Sequence, residues 1–177
     1  MLRGVVLWLA EEGWTVSVIA RGRGRLVALE AAAAPLEGGV RSLPVDYRDD
    51  QALHAALKSE IERVGPIELA VCWIHSVAPR ALGIIAAILR AQPTSSRLFR
   101  IRGSASRDPS IPDPDDALLS KADSRPEYRR VILGFEVDGS SSRWLMDSEI
   151  SSGVIQAIAD DAPSTVVGTV QPWSARP

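Results

Sequence analysis

Cysteine occurs once, at Cys72, which excludes an intrachain disulfide and a multi-cysteine zinc site. Its setting, residues 69–73, reads as a buried strand in which the thiol acts as a small hydrophobe. No neighbour there is of a kind to lower a thiol pKa. Histidine is nearly as scarce: His54 and His75 stand too far apart to suggest a metal site. Asp113, Asp115 and Asp116 lack the spacing and glycine of a calcium loop and read as solvated loop residues. No apolar run reaches the ~20 residues that cross a bilayer. No charged segment followed by an apolar stretch and a small-residue cleavage site opens the chain, so a cytoplasmic location is expected. The net charge of −2 gives no reason to expect nucleic acid or an anionic membrane as partner. Lysine is confined to Lys58 and Lys121 against 18 arginines, a skew to which no function attaches.

What is present is an ordinary globular composition, 46% hydrophobic and 24% charged over 177 residues. That suffices for one domain, 1–177, with a sizeable core. Residues 13–25 organise the pattern. A β-branched run, Thr15 to Ile19, ends abruptly in Arg21 and Arg23 spaced by glycine. Helical periodicity precedes it over 2–12 and follows it over 24–34, with Pro35 and Gly38-Gly39 as stops. Helix, short buried strand, helix is the rhythm of a parallel sheet covered on both faces. Ligands of such sheets lie beyond the carboxyl ends of the strands, where Arg21 and Arg23 fall, so both are candidates for a ligand phosphate.

The alternation continues. A strand is expected over 40–45, then a helix capped by Asp49 or Asp50 that carries Leu53, Ala56, Leu57 and Ile61 on one face and ends at Gly65-Pro66. The apolar segment 67–73 reads as a strand buried on both faces, followed at its carboxyl end by Ile74-His75-Ser76. Pro79 suits the first turn of the next helix, which ends near Arg90. A short strand is expected over 97–101. The Pro-rich stretch 103–126 reads as a long loop with the character of a lid. Another strand is expected over 129–137, then a helix capped by Ser140–Ser142 and carrying Trp144, Leu145, Ile150, Val154, Ile155 and Ile158. A last strand follows over 164–170, before a polar tail at 171–177.

Strand–helix alternation with Arg21 after the second strand position and Asp46 after the third resembles the short-chain dehydrogenase/reductase family, in order and spacing from residue 2 to about 101. The resemblance implies a Rossmann-like three-layer α/β/α sandwich with a mostly parallel sheet. It matches the part of that fold that follows the glycine-rich turn, with Gly4 in the place of the last glycine, which allows close helix–sheet packing. The first strand and the other glycines are missing, so the fold is expected to be N-terminally incomplete. In the order 3-2-1-4-5-6 the missing strand is central, and its neighbours each lose a partner along one side. Either the chain starts at an internal methionine, which is the favoured expectation, or a two-chain arrangement covers the open edges and gives a homo-oligomer.

The resemblance also implies site residues. Arg21 would pair with the 2′-phosphate of NADP, since a guanidinium matches phosphate oxygens in bidentate geometry, and Arg23 would assist. The alternative for each is a solvated loop arginine. Asp46 would approach the adenine amino group or simply cap a helix, and Tyr47 would stack on adenine or pack on the surface. Ile74, His75 and Ser76 lie where the family runs beside its cofactor, and His75 is suited to proton transfer or to a structural hydrogen bond. The family serine has Ser104 or Ser106 in its neighbourhood. Its Tyr-x-x-x-Lys pair is missing: Tyr128 is followed four residues on by Ile132 in a strand pattern, and Tyr47 has no matching lysine. The expectation is a dinucleotide-binding protein, NADP ahead of NAD. It would be an oxidoreductase of an unidentified small molecule, or a non-catalytic relative serving as nucleotide-binding regulator or scaffold.

Overall fold

Two parallel sheets, not one, form the middle layer of the computed structural model, which describes residues 1–104, 111, 116, 119, 125–139 and 141–177. The elements run α1 (Arg3–Glu11), β1 (Thr15–Ile19), α2 (Arg23–Ala33), β2 (Gly39–Leu43), α3 (Asp50–Val64), β3 (Leu69–Trp73), α4 (Ala81–Ala91) and β4 (Arg97–Gly103). Then come β5 (Glu127–Leu133), β6 (Phe135–Asp138), β7 (Ser141–Trp144), α5 (Asp147–Asp160), β8 (Ser164–Val167) and a 3-10 turn (Trp173–Ala175). β1 and β2 pair in parallel, Thr15 opposite Gly39 through Ile19 opposite Leu43. β3, β4, β5 and β8 form the second parallel sheet in that order. The architecture is α/β and Rossmann-like. The break between β1 and β3 falls where the sequence pattern lacks a strand.

The apolar periodicities explain the layers. β4 and β5 alternate, so Phe99, Ile101, Val131 and Leu133 face α1 and α5 in one core with Val5, Leu9, Val154 and Ala157. Their opposite faces send Leu98 and Tyr128 toward Leu82, Ala86 and Leu89 of α4. A third cluster joins α3 to α4 through Leu53, Leu57, Ala78 and Ala81. Asp49 caps α3, its carboxylate accepting from the amides of Gln51 and Ala52 at 3.0 Å each. The buried Glu60 of α3 ties the small sheet down, accepting from the Ser17 hydroxyl at 2.6 Å, from Arg41 and from Arg63. Among the described residues no helix is long and apolar enough to cross a membrane.

Several sequence expectations need correction. β3 was expected to be buried on both faces, yet only Cys72 is buried and its neighbours are half-exposed, because the side toward β1 has no strand beside it. Gly4 serves helix–helix rather than helix–sheet packing: a Cβ there would stand 2.7 Å from Ser151 Cβ of α5. The strand expected over 129–137 is two strands broken at Gly134, where a side chain would overlap the Thr169 carbonyl. The helix expected from Ser140–Ser142 starts only at Asp147; Ser141–Trp144 is β7, antiparallel to β6, and Ser140 lies outside the described residues. Trp144 therefore packs edge-on against Phe135, ring centroids 6.3 Å apart, instead of on a helix. Most of the loop expected over 103–126 lies outside the described residues. Gly103 ends β4, and Asp116 and Leu119 are helical and buried rather than solvated.

Candidate active site at the carboxyl ends of the strands

Parallel strands aim all their carboxyl ends at one edge, and the expected site residues collect there. Arg21 leaves β1 and is exposed; Arg23 opens α2 as its first residue, behind Gly22, with no side chain capping that helix. The first-turn amides of α2 and the guanidinium of Arg23 thus belong to one helix end, where the helix dipole favours an anion. Beyond β2, Asp46 is clasped by Arg48, whose Nε lies 3.0 and 2.9 Å from the two carboxylate oxygens and whose Nη2 lies 2.5 Å from Oδ2. The Arg48 side chain, its amide and the nearby charge of Arg21 hold the Asp46 carboxyl down to about 2. Two guanidiniums and one carboxylate leave this corner with a net positive charge. Arg48 was not singled out in the sequence; the signal available was an acid and a base two residues apart just past a strand.

The other expected residues divide. Tyr47 is half-buried and packs against the α3–α4 cluster. Ile74 is likewise a packing residue, touching the apolar clusters on the α4 face. His75 and Ser76 are exposed at the end of β3. His75 is not isolated: the Trp73 indole Nε1 donates to its Nε2 at 3.0 Å, with the rings edge to face. A neutral ring that accepts at Nε2 carries its proton on Nδ1. Trp73 also reaches over the end of β4, where a Cβ on Gly103 would stand 3.3 Å from its Cη2. The next residue, Ser104, is buried with a hydroxyl that has no hydrogen-bond partner among the described residues. Ser106 lies outside the described residues.

Tyr128 is held away from this edge. It sits on β5, and its hydroxyl donates to Asp116 Oδ1. The same carboxylate accepts from Arg100 at 3.0 Å, Arg102 at 2.9 Å and Arg130 at 3.2 Å. Burial, and then the Asp116 hydrogen bond, push the Tyr128 phenol well above its ordinary range, so it is no proton donor near neutrality. Cys72 is equally inert, its buried thiol pushed up to about 12.

No family model matches the chain, and no curated protein matches it. Solved structures do. A putative oxidoreductase from Escherichia coli K-12 is 14% identical, with a TM-score of 0.68 over 99% of this chain and 94% of that one. A metagenomic short-chain oxidoreductase in complex with NADP is 15% identical, with a TM-score of 0.58 over 94% of this chain and 89% of that one. An NAD+-bound xylitol dehydrogenase is 17% identical, with a TM-score of 0.58 over 77% of this chain and 66% of that one. At such identities the likeness is one of fold: the chain has the Rossmann-like fold of short-chain dehydrogenases and reductases.

Proposed function

We propose that this protein binds a dinucleotide across the carboxyl ends of its strands and takes NADP ahead of NAD. The observation that carries the reading is the cationic corner at the ends of β1 and β2. Arg48 clasps a single carboxylate, Asp46, the charge of Arg21 reaches the same group, and Arg23 opens α2 just beyond β1. A ribose 2′-phosphate is a small dianion that three such donors would hold. A bare ribose diol would meet the Arg21 guanidinium at the position where NAD selection needs an acidic group. The uncapped amino end of α1, at the same sheet edge, would face the pyrophosphate. The residues present therefore fit the adenosine-phosphate half of the cofactor. The glycine turn that would cradle the pyrophosphate is not among them.

The nicotinamide ring, when bound, supplies hydride transfer. The usual proton donor has no counterpart here, since Tyr128 is sequestered by Asp116. That favours a nucleotide-binding regulator or scaffold over a hydride-transfer enzyme. An oxidoreductase remains the second reading, favoured by one observation: Trp73, whose indole orients the His75 ring, also reaches over the Gly103 end of β4, next to Ser104. In that reading the His75 ring takes a proton on Nε2 from solvent once the Trp73 bond opens. As an imidazolium it gives that proton to an unidentified small carbonyl, and as neutral imidazole it takes it back from the alcohol.

Titration with NADPH and with NADH, followed by tryptophan fluorescence, tests the reading. NADPH is expected to bind at least tenfold tighter than NADH, and Arg21→Ala to abolish that preference while leaving NADH unchanged. Equal losses for the two cofactors would contradict the phosphate role.

A further inference from the structure

Beyond β2 the chain alternates once more before α3 begins. Tyr47 turns inward to the α3–α4 cluster, which leaves its neighbours Asp46 and Arg48 side by side at the surface. The turn that follows holds them there, the Asp49 amide donating to the Asp46 carbonyl at 2.9 Å. One residue then fills the whole Asp46 carboxylate. Oδ1 accepts from the Arg48 amide at 3.1 Å and from Arg48 Nε at 3.0 Å. Oδ2 accepts from the same Nε at 2.9 Å and from Nη2 at 2.5 Å. A carboxylate offers about four acceptor sites, so nothing is left for a further donor.

The guanidinium is less committed than the carboxylate. Among the described residues Arg48 bonds only to Asp46, its Nη1 bonds to nothing, and its side chain is 52% exposed. Arg21, whose charge reaches Asp46, makes no ion pair or hydrogen bond among the described residues. A ligand that brings only a donor, such as the exocyclic amine of adenine, therefore meets an acceptor already taken. A ligand that also brings a phosphate offers Arg48 a second partner, since a guanidinium grips phosphate in the same bidentate geometry as carboxylate. A surface ion pair is weak, so the clasp yields to a phosphate, and its effect on affinity is several-fold rather than many orders of magnitude.

We propose that Arg48 is a specificity latch: in the free protein it locks Asp46, and the 2′-phosphate of the dinucleotide draws it off and so frees Asp46 to accept from the adenine amine. Recognition of the phosphate and of the base is then coupled. A nucleotide without the 2′-phosphate meets the carboxylate only in the fraction of molecules whose latch is open. The latch rests on the phosphate reading above and adds to it a role that Arg21 does not share.

The probes are 2′,5′-ADP and 5′-AMP, titrated by NMR into the intact chain, Arg48→Ala and Arg21→Ala, all surface changes. Arg48→Ala should weaken 2′,5′-ADP about tenfold. It should also strengthen 5′-AMP about threefold, because Asp46 is then unlocked. In the unaltered chain 2′,5′-ADP should shift the Arg48 Nε–H resonance, and 5′-AMP should leave it in place. Arg21→Ala should weaken 2′,5′-ADP and spare 5′-AMP, which upholds the phosphate reading by itself. Alongside that result, 5′-AMP binding that is unchanged or weaker in Arg48→Ala would overturn the latch alone. So would an Arg48 Nε–H resonance that 2′,5′-ADP does not move. No preference for 2′,5′-ADP in the unaltered chain would overturn both.

Discussion

Asp46 and Asp116 are both aspartates surrounded by arginine, and their settings give them different work. Asp46 is on the surface, so its pairing with Arg48 costs little and stays adjustable by a bound phosphate. Asp116 is buried and is the shared acceptor of Tyr128, Arg100, Arg102 and Arg130. Removing a buried partner leaves the opposite charges without that acceptor. Asp116→Asn is therefore expected to cost on the order of 3 kcal/mol, read as a fall in melting temperature of roughly 2–4 °C for each kcal/mol. An unchanged melting temperature would mean that the arginines are satisfied without it. Only the Asp46 pairing could be read locally. Arg48 lies two residues from Asp46 in a turn, and the partners of Asp116 come from strands 12 to 16 residues away. The sequence pattern placed Arg21, Arg23 and Asp46 at one edge, but it could not show that Tyr47 and Ile74 turn inward to pack.

At the scale of elements, periodicity located β1 to the residue and placed every helix through α4 within two or three residues of its observed ends. It failed at the hairpin because Ser141 and Ser142 look like helix caps, whereas β7 pairs with β6 across Phe135 and Trp144. The cap of α5 comes from Glu149 instead, whose Oε2 accepts from the Met146 amide at 2.7 Å while Arg143 of β7 holds both oxygens at 2.8 Å. Arg143 first, and then that amide, hold the Glu149 carboxyl down from 4.5 to about 2. A carboxyl whose folded pKa is depressed adds stability above its unfolded value and loses it as pH falls toward the folded one. Melting temperature should therefore decline between about pH 4.5 and 2, and Glu149→Gln should make that decline shallower. An identical acid profile for the variant would separate this hairpin–helix link from acid stability.

At the scale of the whole molecule, the defining feature is a Rossmann-like layer divided between two parallel sheets over a shared helix. The division predicts a pattern of motion that a continuous sheet does not have. Amides of Val16 and Val18, bonded to β2, should resist hydrogen exchange, and Ser17 and Ile19 between them should exchange fast. Along β3, Ala70 and Cys72 should be slow and Val71 fast, whereas β4, paired on both sides, should be slow throughout. Uniform protection along β1 and β3 would mean that the gap is closed in solution.

The central claim is that the ends of β1 and β2 recognise a 2′-phosphate, and backbone NMR shifts on addition of 2′,5′-ADP, with 5′-AMP as control, test it most directly. The account predicts saturable shifts with 2′,5′-ADP at Arg21 to Arg25 and at Asp46 to Arg48, and far weaker ones with 5′-AMP. Equal shifts for the two nucleotides, or shifts that leave Arg21 and Arg48 unmoved, would contradict it.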